Sequence, residues 1–194
     1  METYKNLKKS TKIGLIILAV LLVVLLVNNI SIVVKAFNAG RTGIAVVAII
    51  DIVVCVIIML YAFFGYKKPH GNLLKLVFFV YAISLALQGA LDIAGKSHYI
   101  TGDLFVLAAL LIAYVAGRLN KIEKNKFILI FVGLLILASV IIGYLNLPPF
   151  IGFSDIFGSM TPIIIFAALS FAYVARYEEH KAAGLADKAD AKEN

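Results

Sequence analysis

Six apolar runs of near bilayer-crossing length follow one another between Ile13 and Ala175, and they leave the chain room for little besides a bundle of membrane helices. Lipid offers no hydrogen bonds, so a segment inside it must satisfy its own backbone, which a helix of about 20 residues does. The runs are Ile13–Phe37, Gly43–Tyr66, Leu73–Ala94, Thr101–Leu119, Phe127–Leu147 and Phe153–Ala175. Hydrophobic residues make up 62% of the 194, against roughly 45–50% in soluble domains, and the six runs use most of the length. The expected fold is therefore all-α, an integral membrane six-helix bundle built as three helical hairpins, with no large soluble domain.

The first run follows a basic segment, residues 1–12, and its apolar stretch from Ile13 to Val34 is 22 residues long. A signal peptide's apolar region is shorter, about 7–15 residues, so this span is expected to be retained. The fourth run is the shortest, with 14 uncharged residues from Leu104 to Gly117. At 1.5 Å per residue that is about 21 Å, so Arg118 must snorkel and Asp103 must lie near the headgroups. After the bundle, residues 13–175, the tail 176–194 mixes charges of both signs with alanine and is expected to be solvated and partly disordered.

Charge alternates between successive connections, which sets orientation. Fifteen of the 18 Lys and Arg residues fall on one side, in the amino-terminal segment, around Lys67 to Lys75, around Arg118 to Lys126 and in the tail. Only Lys35, Arg41 and Lys96 fall on the other. Both termini are thus expected to be cytoplasmic in a multi-pass protein of the cell membrane. The net charge of +7 then reflects attraction to anionic lipid headgroups rather than to nucleic acid, for which no basic soluble module exists.

Polar residues in a lipid-spanning segment carry information because they are costly there. Asn28, Ser31 and Lys35 share one face of the first span, and Tyr81, Ser84, Gln88 and Asp92 form a stripe along the third with spacings of 3, 4 and 4. Ser139, Gly143 and Asn146 repeat the pattern in the fifth. Each odd span turns polar toward its outer end. Asp51 interrupts "AVVAIIDIVVCVIIML" eight residues past Gly43, about 12 Å into the hydrocarbon. Ala48, Asp51, Cys55 and Ala62 lie on one mostly small face, which suits contact with another helix. Asp51 is expected to face the bundle interior, either as the floor of an outward-facing polar chamber or as a structural acid satisfied by a neighbouring asparagine or serine. Asp103 and Asp155 read as helix N-terminal acids. Thr161 and Pro162 fall mid-way along the sixth run, where proline kinks a helix as a static bend or a hinge.

Known chemistries find few footholds. The single cysteine, Cys55, excludes an internal disulfide and any multi-cysteine metal site, and His70, His98 and His180 lie outside the spans, where they cannot hold a haem between helices. "YITGDLF" matches the intramembrane aspartyl protease pattern G-x-G-D only at Gly102 and Asp103, with Ile100 in the first glycine's place. No G-x-S-x-G or P-loop occurs. No cofactor and no metal are expected, and an enzyme is not the leading reading. In architecture alone the chain is similar to the small substrate-binding subunits of energy-coupling-factor importers, with about that size, six helices and a ligand near the outer side. The small-residue pattern by which those subunits dock on their coupling partner is not evident in "GLIILAVLLVV".

Two functions follow as expectations. One is binding or transport of a small polar, cationic or amine-bearing solute in a chamber lined by Asn28, Asp51, Tyr81, Ser84, Gln88 and Asp92. The other is a non-catalytic accessory or scaffold subunit, whose polar stripes hold a membrane protein partner or a second copy of the chain.

Overall fold

A computed structural model describes residues 9–64, 71–95, 99–119, 126–145 and 159–182. Those residues form six helices: α1 (Lys9–Asn38), α2 (Thr42–Phe64), α3 (Gly71–Ala94), α4 (Tyr99–Gly117), α5 (Lys126–Leu145) and α6 (Thr161–Ala182). Five contain segments long and apolar enough to cross a membrane: Lys9–Asn38, Thr42–Leu60, Leu73–Ala94, Ile100–Gly117 and Phe127–Leu145. The fourth, short by sequence, is among them. The apolar part of α6, Thr161–Ala175, is shorter, and residues 153–158 of the expected sixth span lie outside the described residues. The protein is thus an all-α, multi-pass membrane protein.

Each helix packs on the next in chain order, and α6 returns to α1, so the six close into a ring. α6 also reaches across to α2 and α3. Its contacts with four helices agree with its residues: Ile165, Leu169, Ala172, Tyr173 and Ala175 are fully buried. The outward faces are as apolar as the core. Leu107, Leu110 and Tyr114 of α4 point out while Ala108, Ala109, Ile112 and Val115 point in. Lipid tails are as apolar as leucine, so what distinguishes the inner face is small size and polarity rather than hydrophobicity.

The tightest helix pair illustrates this. A Cβ placed on Gly89 of α3 would lie 2.7 Å from the carbonyl oxygen of Gly102 in α4, and one on Gly102 would lie 2.6 Å from the carbonyl of Gly89. The two backbones touch because neither residue has a side chain. At the α1–α2 turn Gly40 has a φ of 68°, which a side chain disfavours. The Arg41 amide donates to the Ala36 carbonyl at 2.8 Å and the Gly40 amide to that of Phe37 at 3.0 Å, a Schellman closure that satisfies the last carbonyls of α1.

Two local expectations change. Pro162 sits in the first turn of α6, directly after a break: Ser159 is helical and Met160 is a turn residue, and there the missing amide breaks no bond within α6. The tail segment begins as helix, since α6 runs through to Ala182. Glu178 in this stretch accepts a hydrogen bond from the Thr11 hydroxyl of α1 at 3.1 Å, joining the start of α1 to the end of α6. Residues 183–194 lie outside the described residues. Arg118, just past α4, folds back with its guanidinium 4.9 Å from the Tyr114 ring centroid, a cation–π contact in keeping with a cation leaving the hydrocarbon.

Candidate functional site

Asp51 lies in the amino-terminal half of α2, nine residues after Thr42, and only 6% of it is exposed. Its face of the helix is the small one: Ala48 and Cys55, on either side, are buried with it. Directly across, Ser84 of α3 is 2% exposed and its hydroxyl donates to Oδ1 of Asp51 at 2.5 Å. That distance is at the short end for O–H···O bonds. Thirty-three residues of chain separate the pair, and the bond locks α2 and α3 in register.

Above this bond a partly open cavity of about 280 Å³ is walled by α1, α2, α3 and α6. Its polar lining comprises Asn29, Asp51, Gln88, Asp92 and Thr161, and its apolar lining includes Ile44, Val47, Leu91 and Pro162. All of these lie at one end of the bundle, where α1 ends, α2 begins, α3 ends and α6 begins. The volume sits just under the range of roughly 300–1,000 Å³ typical of drug-sized ligands, so a small solute fits it. Among the described residues, two carboxylates and no Lys, Arg or His line it.

Two of its polar groups have no hydrogen-bond partner among the described residues. The Asn29 amide nitrogen and the Thr161 hydroxyl are both buried, in residues only 2% and 5% exposed. Buried polar groups are nearly always satisfied, and leaving one unmade costs about 1–3 kcal/mol. Both residues are part of the cavity lining.

The sequence-derived set divides in three. Asp51, Gln88 and Asp92 line the cavity, and Ser84 supports Asp51 from beneath. Tyr81, one turn further down the stripe, is buried and outside the lining. Its hydroxyl donates to the Pro162 carbonyl at 2.6 Å and so ties the start of α6 to α3. Asn28 is half-buried and is not in the lining; its neighbour Asn29 is. Asn29, Thr161 and Pro162 were not in that set. The signal for Asn29 is phase: Leu18, Leu22, Leu25, Asn29 and Ala36 form the buried face of α1, with spacings of 4, 3, 4 and 7. In a helix apolar on every side, sequence alone does not reveal that phase.

The fifth helix uses its polar residue elsewhere. Ser139 is fully buried and donates to the Thr101 carbonyl of α4 at 3.0 Å, while Asn146 lies outside the described residues. A larger concavity of about 470 Å³ between α5 and α6 is lined by Leu129, Ile130, Gly133, Phe166 and their neighbours, without a charged side chain. Its chemistry matches lipid tails rather than a polar solute. No group of three or more His, Cys, Asp or Glu side chains able to hold a metal occurs among the described residues.

Searches against protein families, curated proteins and solved structures find no match for this chain.

Proposed function

We propose that this protein binds a small polar solute carrying an amine or another cationic group in the cavity above Asp51, as a carrier, a channel or a binding subunit. The observation that carries the reading is a buried carboxylate, Asp51, at the floor of a solute-sized cavity whose lining among the described residues also includes Asp92. An ionisable group within a membrane bundle is costly and marks function by default. Ser84 donates to Oδ1 of Asp51, and among the described residues Oδ2 has no donor. An ammonium supplies both the charge and the hydrogen bonds that this site asks for.

The orientation belongs to the same proposal. With the basic segments on the cytoplasmic side, the α1–α2 turn faces outward and the cavity opens toward the exterior. The packing of α1 on α2 and of α3 on α4 supports the first two hairpins, whereas α5 packs more extensively on α4 than on α6.

The subunit reading would place Ser84 and Gln88 at a partner interface. Ser84 is instead engaged within the chain and almost wholly buried, which favours the solute site. Binding of small primary amines and amino acids to the purified protein, measured calorimetrically in wild type and Asp51→Asn, tests the proposal. The substituted amide keeps an acceptor for Ser84 and preserves the bundle while removing the charge. Loss of binding in a monodisperse, helical variant is the expected result; binding unchanged by the substitution would overturn it.

A further inference from the structure

The walls of the cavity differ in sign. On the α2–α3 side stand Asp51 and Asp92, with Gln88 between the helical turns. On the α1–α6 side stand donors: the amide nitrogen of Asn29 and the hydroxyl of Thr161, each buried and without a partner among the described residues. Thr161 is also the first residue of α6, a 22-residue helix, so the positive end of that helix's dipole lies at the same wall. Aligned peptide dipoles act there like roughly half a positive charge. Within a membrane such a charge is little screened, and helices that begin inside the bilayer use their amino-terminal ends to hold anionic groups of solutes. Two of the first-turn residues have no free amide to offer: Pro162 has none, and that of Ile164 donates to the Met160 carbonyl at 3.1 Å. The Thr161 and Asn29 side chains are then the natural completion of an anion seat.

A simple amine satisfies only the acidic wall and leaves two buried donors without a partner among the described residues. A simple anion satisfies the donors but faces two carboxylates. We propose that the solute is a small zwitterion of the amino acid class, its ammonium held by Asp51 and Asp92 and its carboxylate by Asn29, Thr161 and the amino-terminal end of α6. This rests on the reading of the cavity as a solute site and adds the second recognition element. Tyr81 is part of the same arrangement, because its hydrogen bond to the Pro162 carbonyl fixes the first turn of α6 at the cavity wall.

The test compares matched pairs on the full chain in lipid nanodiscs: glycine with methylamine, alanine with ethylamine, serine with ethanolamine, and γ-aminobutyrate with propylamine. Each amine is its partner without the carboxylate. Hydrogen bonds to a charged group make the best zwitterion bind roughly 10- to 100-fold more tightly than its amine. In Asn29→Ala/Thr161→Val that ratio is expected to fall below about threefold, and restoring the hydroxyl in Asn29→Ala/Thr161→Ser recovers part of it. The ratio is the readout because general damage to the bundle lowers both affinities together. Amines binding as tightly as amino acids, or a ratio unchanged in the double variant, would overturn the zwitterion inference while leaving an amine site standing. Absence of binding by every probe would overturn the solute site itself.

Discussion

Replacing Gly89 by alanine probes the contact that seats α3, one of the four helices that wall the cavity. The added methyl would sit 2.7 Å from the Gly102 carbonyl oxygen, 2.9 Å from Cγ2 of Val106 and 3.2 Å from its backbone nitrogen. Ordinary contact begins near 3.4 Å, so α3 and α4 must part locally by about 0.7 Å, the difference between 3.4 and 2.7. A gap of that size forfeits a quarter to a half of the dispersion energy of each facing atom pair. Overpacking of this kind costs about 1–3 kcal/mol, and alanine's helix preference over glycine returns up to about 1 kcal/mol. The net loss is then roughly 1–2 kcal/mol, a 5- to 30-fold fall in the folded-to-unfolded ratio. Reversible unfolding in mixed micelles reads it directly. Gly102→Ala should behave alike, and the double variant should lose less than the sum, since the second methyl enters space opened by the first. Gly117→Ala is the control, for nothing lies within 4 Å of the methyl it adds. A Gly89→Ala protein as stable as wild type would refute the backbone contact between α3 and α4. Gln88 precedes Gly89 and Asp92 follows one turn on, so the same shift should also weaken solute binding.

Other perturbations reach different parts of the account. Ser84→Ala strips Asp51 of its donor and should cost about 1–3 kcal/mol in the same unfolding assay; a neutral outcome would remove the α2–α3 bond from the explanation. Gly40→Ala forces a side chain into the left-handed region at the α1–α2 turn and should destabilise by roughly 1–2 kcal/mol, whereas no change would mean the turn relaxes freely. In a Cys55→Ala background, a membrane-impermeant maleimide should label Arg41→Cys in intact cells and Lys9→Cys only after permeabilisation. The reverse pattern would invert the topology.

Much of the architecture was legible because lipid imposes a simple rule: each apolar run of sufficient length is a helix. The boundaries of α1 to α5 follow from that rule and from the glycines and charges that end the runs. The interior of the bundle was legible where polarity breaks the apolar background. Asp51 and the stripe from Tyr81 to Asp92 had to face inward, and they do, but their pairing was not readable. Ser84 meets Asp51 through the packing of two helices, and no spacing within either encodes it. Which of Asn28 and Asn29 lines the cavity was not readable, since α1 is apolar on all sides and one residue shifts a side chain by about 100°. Pro162 misled for another reason. A proline inside an apolar run looks the same whether it bends a helix or begins one, and only the position of the neighbouring turn distinguishes them.

The central claim, that the cavity above Asp51 holds a solute, is tested most directly by native mass spectrometry of the protein gently extracted from its own host. The account expects a monomer or homo-oligomer carrying a small bound mass, with the mass absent from Asp51→Asn. A chain that carries no such mass and instead travels with a stoichiometric second polypeptide would contradict it and establish the subunit role.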